Sequence, residues 1–276
     1  MKRKKRDNEK NNIRIVLIFF TFVSFLIFLS VLIKAALIIM DGKFDGKHNI
    51  TILIYKDQNE QKNRGEIFSF SPDNSAISEI SVESQNSLLG VGKDLEVPID
   101  GKINVTKLSD FKDPIKIEST LGSIILNYKD VKTNLTLIDL FRLWYFSRSI
   151  PKNSIMTDTI VLTAEINQGD YVVSDYFVDY AMLKEKGTIQ IINGTGVSGL
   201  GNKLAKLITN IGGNVVSVST SDNLLDSSEI IYYGDSTYTS SRLAKILKFK
   251  TVQTKNPGIS DITISLGKDS ENSDKF

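Results

Sequence analysis

Cysteine is absent from the 276 residues, and histidine occurs once, at His48. Without thiols there is no disulfide framework, no thiolate metal site and no cysteine nucleophile. A single imidazole excludes a multi-histidine metal centre and a conventional serine–histidine triad. Net charge is also small: 34 Lys and Arg stand against 32 Asp and Glu, a formal balance of +2. Seven of the basic residues lie within residues 1–14 beside two acids, so the remaining chain carries −3. The basic charge is local, and no nucleic-acid surface is expected. The length still allows one large core or two small ones.

The basic cluster Lys2–Arg6 is followed by an uncharged run, Ile15–Ile33, whose polar residues are Thr21, Ser24 and Ser30. These 19 residues, at about 1.5 Å rise each, cover roughly 28 Å, close to the hydrocarbon thickness of a bilayer. Lys34 can snorkel while the apolar character continues to Met40. The run is longer than the apolar stretch of a cleaved signal peptide and ends in Leu37–Met40 instead of a small-x-small site, so an uncleaved anchor in the lipid bilayer is expected over residues 15–40. The positive-inside rule then places the tail 1–14 in the cytoplasm and residues 41–276 outside, a location that suits a cysteine-free chain.

Residues 41–49 are polar, with two glycines, and read as a juxtamembrane linker without a fold of its own, in which His48 is exposed and has no assigned role. Ile50, Ile52 and Ile54 open a strand. Glu66–Phe70 and Ala76–Val82 give two more, separated by the turns 57–65 and Ser71–Asn74. Helical spacing of Ile117, Leu121, Ile124, Ile125 and Tyr128 predicts a helix over 115–128, and Thr136 before Leu137, Leu140, Phe141, Trp144 and Tyr145 predicts another. With a strand at Thr159–Ala164, residues 50–186 read as a mixed α/β domain. The acidic, aromatic stretch Gln168–Lys186, with Tyr171, Tyr176, Phe177 and Tyr180, could bind a partner or pack two halves together. Residues 187–268 then alternate: strand 188–192, helix 200–211, strands 215–219 and 229–233, helix 239–247, strands 251–254 and 262–266. That order predicts a small two-layer α/β sandwich, either split βαβ or a minimal parallel sheet. Residues 269–276 form a polar tail. The expected fold class is α/β: one N-terminal transmembrane helix, a mixed α/β domain and a small α/β sandwich.

The sharpest local motif is Asn193-Gly194-Thr195-Gly196-Val197-Ser198-Gly199, in which Gly194, Gly196 and Gly199 spell G-x-G-x-x-G between a strand and a helix. A dinucleotide site would use the helix N-terminus for pyrophosphate and an acid such as Asp222 for a ribose hydroxyl. Asp222 stands 28 residues from Gly194, where about 20 is usual, and the short second domain offers little sheet. The favoured reading is a tight turn with Ser198 capping the helix, although an anionic ligand could still use Asn193–Gly199.

The block Ile189–Leu200, followed by Val215–Val218, Ile230–Gly234 and Asp261–Gly267, resembles the C-terminal domain of LytR-type envelope proteins. In the LytR-CpsA-Psr family such a module can follow a catalytic domain behind one N-terminal anchor. The resemblance implies an envelope setting, and for the middle domain a phosphotransferase that moves an anionic glycopolymer from a polyprenyl pyrophosphate to peptidoglycan. Ile52–Asp57 resembles the family's first core strand ending in Asp, and Arg64-Gly65-Glu66 approximates its Arg-x-Asp motif, with Glu in place of Asp. Where the family has Pro-Arg-Asp, this chain reads Ser81–Asn86, without the arginine. If the enzyme reading holds, the candidates are Asp57, Arg64 and Glu66, and Asp57, Glu66 and Glu83 could hold Mg²⁺. A lipid pyrophosphate needs several cations; Arg142 and Arg148 are expected on a solvated helix face.

Phe141, Trp144, Tyr145 and Phe146 could form a sugar-stacking platform, but their helical spacing favours core packing. The leading expectation is a membrane-anchored, extracytoplasmic binding or scaffold protein of the cell envelope, with a reduced LytR-CpsA-Psr-like domain. Its partners would be cell-wall glycans or other envelope proteins, with no cofactor and no nucleic acid. A phosphotransferase and a nucleotide-binding module are the alternatives.

Overall fold

The computed structural model describes residues 2–40, 42–56, 63–84, 87–106, 116–162, 174–256 and 258–271. The chain forms two compact units, residues 1–42 and 43–276. In the first, α1 (Lys2–Met40) contains the stretch Val16–Lys34, long and apolar enough to cross a membrane. The Thr21 hydroxyl donates back to the Leu17 carbonyl (2.8 Å), which satisfies it within the helix itself.

The second unit opens where a linker was expected, and the difference is physical. Phe44 is buried, with its ring against Phe70 and Phe146. Its N–H donates to the Asp139 carboxylate (2.9 Å) and its carbonyl accepts from Arg142 (2.7 Å). Asn49 is likewise buried, donating to Ser71 Oγ and the Val178 carbonyl. Residues 43–49 are therefore anchored at both ends of the segment. Polarity and glycine content described its surface; the one ring that enters the core decides its position.

Among the described residues, six strands make the first sheet: β1 (Ile50–Tyr55), β2 (Asn63–Ser71), β3 (Ala76–Ser84), β4 (Gly101–Asn104), β5 (Lys132–Thr133) and β6 (Ile155–Leu162), in the order β5-β4-β1-β2-β3-β6. β2 and β3 pair in full antiparallel register, from Asn63 opposite Ser84 to Ser71 opposite Ala76. Pro72–Asn74 turns the chain between them, and Ser75 closes the turn at a left-handed φ of 51°. β1 is central and has both faces covered, so Ile50–Ile54 are all buried and the apolar–polar alternation of a half-exposed strand is blunted. On one face Ile50, Ile52, Ile54, Phe68 and Phe70 pack beneath α3 (Ile117–Leu126) and α4 (Leu137–Ser149). On the other, Leu53, Ile67, Ile80 and Val82 pack with Leu88, Leu95, Val97 and the short α2 (Val91–Asp94).

α4 begins at Thr136, whose hydroxyl accepts from the Asp139 N–H while the Asp139 carboxylate accepts from the Thr136 N–H, a reciprocal cap. α3 is shorter than its sequence pattern, ending at Leu126 before a tight turn at Tyr128–Asp130; Ile115 lies outside the described residues. β6 starts four residues before the predicted Thr159 because parallel pairing with β3 begins at Ile77 opposite Ile155. Residues 163 and 164 lie outside the described residues.

Two short helices, α5 (Ser174–Phe177) and α6 (Tyr180–Glu185), lead to the second sheet. Phe177 enters the core of the first sheet and Met182 that of the second. Tyr176 and Phe177 of the aromatic stretch pack with the first core and Met182 with the second, so the segment contributes to both; Tyr171 is outside the described residues.

The second sheet has the order β10-β9-β11-β7-β8, from β7 (Thr188–Asn193), β8 (Asn214–Thr220), β9 (Glu229–Tyr233), β10 (Lys250–Thr254) and β11 (Ile262–Leu266). α7 (Leu200–Asn210) and α8 (Tyr238–Leu247) each link a parallel pair, β7–β8 and β9–β10. β11 inserts between the pairs, parallel to β7 and antiparallel to β9. Periodicity left this choice open because strand order is a long-range property. Leu204, Leu207, Leu243 and Leu247 from both helices pack on Ile189, Ile191, Ile230 and Ile264 in a single core.

Candidate functional site

The residues singled out by sequence fall in three places. Arg64, Glu66, Glu79, Ser81 and Glu83 share one face of the β2–β3 ladder, since Arg64 lies opposite Glu83, Glu66 opposite Ser81 and Phe68 opposite Glu79. Arg64 pairs with Glu83 at 2.9 Å, its side chain 62% exposed, and Glu66 accepts from the Ser81 hydroxyl at 2.7 Å. Burial, reinforced by Glu66, pushes the Glu79 carboxyl up to about 7. Asp57 lies outside the described residues. The face thus gathers Arg64 and Glu66 but surrounds them with further acid. Among the described residues no three groups are placed to share a metal ion.

The glycine loop is the second place. Asn193 Oδ1 accepts from the Thr195 N–H and hydroxyl, its Nδ2 donates to the Val197 carbonyl, and Thr195 Oγ1 accepts from the Val197 N–H. Gly194 N–H donates to the Leu266 carbonyl. A Cβ on Gly194 would meet the Leu225 side chain at 2.6 Å, so the space a pyrophosphate would need beside this glycine is filled by leucine. Ser198 does not cap α7. Gly199 occupies the cap position at φ +84° with no side-chain cap bond, a backbone conformation that glycine adopts without Cβ strain.

The aromatic group on α4 divides. Trp144 and Phe146 pack against the core, while Phe141 and Tyr145 are exposed, contrary to the expectation of core packing for all four. The buried stripe of α4 runs through Leu140, Leu143 and Ser147, which turns positions 141 and 145 outward. Phe141 stacks obliquely on Trp144 (5.6 Å), and Arg148 lies 5.0 Å from the Trp144 ring centre.

Among the described residues, a further polar constellation lies where the two sheets meet and was not singled out in the sequence. Arg242 of α8 is buried and forks onto Asp100, with bonds of 2.9 and 2.8 Å to the two carboxylate oxygens. Its Nε lies 3.4 Å from Asp179, which also accepts from the Tyr238 hydroxyl at 2.6 Å. Burial and the Asp179 bond raise the Tyr238 hydroxyl above the ordinary tyrosine range, so it stays a donor. Asp100 further accepts from the Thr51 N–H, and its carbonyl accepts from Lys43 Nζ at 2.8 Å. His48 is half-buried, not exposed: its ring stacks on Tyr238 at 4.7 Å and Nδ1 meets Asp45. Above this network opens a cleft of about 280 Å³, whose lining includes Lys43, Asp45, His48, Ser241, Arg242 and Lys245. The network's parts come from four separated stretches, around residues 43–51, 100, 179 and 238–242, so no spacing could reveal it. The legible signal was Arg242 itself, a charge set in the buried stripe of α8 between Thr239 and Ile246.

The comparisons with known proteins bear on the second half. Residues 186–269 match the family described as LytR cell envelope-related transcriptional attenuator. The match spans the second sheet with α7 and α8. The four sequence blocks are β7 with the start of α7, β8, β9 and β11, of which β9, β11, β7 and β8 are consecutive neighbours in that sheet. Among solved structures, a transcriptional regulator from Bacillus subtilis (yvhJ) is similar at 11% identity and a TM-score of 0.31, over 41% of this chain and 83% of that one. A transcriptional regulator from Enterococcus faecalis (EF0465) is similar at 8% identity and a TM-score of 0.33, over 63% and 91%. No curated protein matches the chain.

Proposed function

We propose that this chain is a single-pass membrane protein whose residues 43–276 lie outside the cytoplasm and bind or scaffold components of the cell envelope. The observation that carries the reading is the LytR family match at 186–269, on the same chain as the apolar helix Val16–Lys34. A cell-envelope family and a helix of bilayer length support a wall-facing body held at the membrane, and the basic residues before the helix orient it. The exposed rings of Phe141 and Tyr145 beside Trp144 offer faces for a glycan. Protease shaving of intact cells tests the topology: digestion of residues 43–276 from outside is expected, and protection until lysis would overturn it. Co-sedimentation of the protein with purified peptidoglycan tests glycan binding, with loss expected in Phe141→Ala/Tyr145→Ala.

The phosphotransferase reading draws less support, because Arg64 is paired with Glu83 and shares its strand face with Glu66 and Glu79, where a lipid pyrophosphate would require cations. The nucleotide reading is opposed by Leu225 against Gly194 and by the internal bonding of the loop.

A further inference from the structure

The cleft above Arg242 has the donors of an anion site. Lys43 and Lys245 both line it and both are exposed, and among the described residues Lys245 has neither an ion-pair nor a hydrogen-bond partner. Lys43 spends one donor on the Asp100 carbonyl. Burial of its ammonium against that contact, and the like charge of Lys248, draw its pKa below the ordinary lysine range, while Asp100 pushes the other way. The hydroxyls of Ser236 and Ser241, 3.1 Å from one another, stand on the same wall. Asp45 also lines the cleft, but its carboxylate is committed to His48 and to the N–H groups of Lys47 and His48. The α8 N-terminus is not the attraction, because Glu185 already accepts from the Tyr238 and Thr239 N–H groups.

The geometry of these donors selects the anion. A planar carboxylate is best gripped by an arginine fork, and the fork of Arg242 is consumed by Asp100. What remains are two ammonium point charges, beside serine hydroxyls that already bond to one another and would have to turn an O–H toward the ligand, a set that suits the tetrahedral oxygens of phosphate. At about 280 Å³ the cleft is at the small end of ligand pockets, room for a headgroup and not for a polymer. Lys43 follows Met40 by three residues, about 11 Å of chain at full extension. If α1 spans a bilayer, that length holds Lys43 within reach of the lipid headgroups.

We infer that the cleft lined by Lys43, Lys245, Ser236 and Ser241 binds a phosphate-bearing anion, presented by the phosphodiester headgroup of a membrane lipid. The headgroup source rests on the anchored reading above; the anion site does not.

The test uses the full chain in neutral detergent, titrated calorimetrically with inorganic phosphate and with glycerophosphoglycerol, the soluble headgroup of an anionic phospholipid. Saturable binding of glycerophosphoglycerol, several-fold tighter than phosphate, is expected, with at least a tenfold loss in Lys43→Gln/Lys245→Gln. Phosphate bound as well as the headgroup, and lost in the same variant, would support the site and assign it to soluble phosphate. No saturable binding of either probe, or binding unchanged in the double variant, would overturn the proposal. A melting temperature within about 2 °C of the parent shows that the variant is folded; if it is not, Lys245→Glu alone gives the same reading, since this exposed side chain has no ion-pair or hydrogen-bond partner among the described residues. Because detergent removes sidedness, failure of this titration and failure of the topology test are independent.

Discussion

Two arginines facing carboxylates sit in opposite surroundings. Arg64 meets Glu83 at the outer end of β2, with 62% of its side chain in solvent. Arg242 meets Asp100 and Asp179 at the junction of the two sheets, with 10% of its side chain exposed. Water screens the first pair, so it does little for stability. The second pair is removed from water, and each charge depends on the others. Sequence motif reading pointed to Arg64, yet the tertiary structure concentrates its electrostatics at Arg242. A charge gains consequence from what surrounds it more than from its neighbours in sequence.

The sharpest way to break this contrast is at the junction. Arg242→Ala removes the guanidinium that forks onto the part-buried Asp100 and lies beside the buried Asp179, and is expected to lower stability by about 3–5 kcal/mol. Urea unfolding of the full chain in detergent measures it, and a loss below about 1 kcal/mol would mean that water reaches these acids freely. Asp139→Ala comes next. This carboxylate is fully buried, caps α4 through Thr136 and holds the Phe44 N–H. Its loss orphans three donors, the Phe44 N–H and the Thr136 N–H and hydroxyl, and should cost about 2–3 kcal/mol, with faster proteolysis at residues 43–49 as the local readout.

The acid face near Arg64 has a pH signature of its own. Glu79, held at about 7 when folded, prefers to keep its proton there, whereas the unfolded chain releases it near 4.5. Between those values the unfolded state sheds its proton first, so this residue disfavours folding increasingly as pH rises, and the full penalty is reached above about pH 7. Half-exposure screens the effect, and Glu79→Gln is expected to raise stability at pH 8 by on the order of 1 kcal/mol. The gain should fade toward pH 4, which urea midpoints across that range would show. Arg64→Ala is the smallest: a change of no more than about 0.5 kcal/mol is expected, and a larger one would show that the pair is part of a wider network.

Much of the fold was legible because its elements announce themselves locally. The strands at 50–55, 188–193 and 262–266 and the helices at 117–126 and 200–210 follow from alternation and helical spacing within a dozen residues. The cap at Thr136 was equally plain, while Ser198 misled because a glycine in the left-handed conformation can end a turn without any side-chain bond. The short β4 and β5 escaped notice, four and two residues long, since a strand that brief has no pattern beyond its pairing. Phe141 and Tyr145 were read inward because an aromatic at helical spacing looks alike on either flank of a buried stripe.

Residue order alone settled the apolar length of the N-terminal helix, the α/β class and the four blocks that resemble the LytR C-terminal domain, since each depends on contacts or spacings within one short segment. Folding decided the rest: that Phe44 leaves the polar stretch for the core, that β11 enters between β7 and β9, and that Arg242, Asp100, Asp179, Lys43 and His48 converge. Such convergence draws on residues up to 199 positions apart, and only the closing of two sheets onto a shared junction brings those charges out of water and into one another's reach.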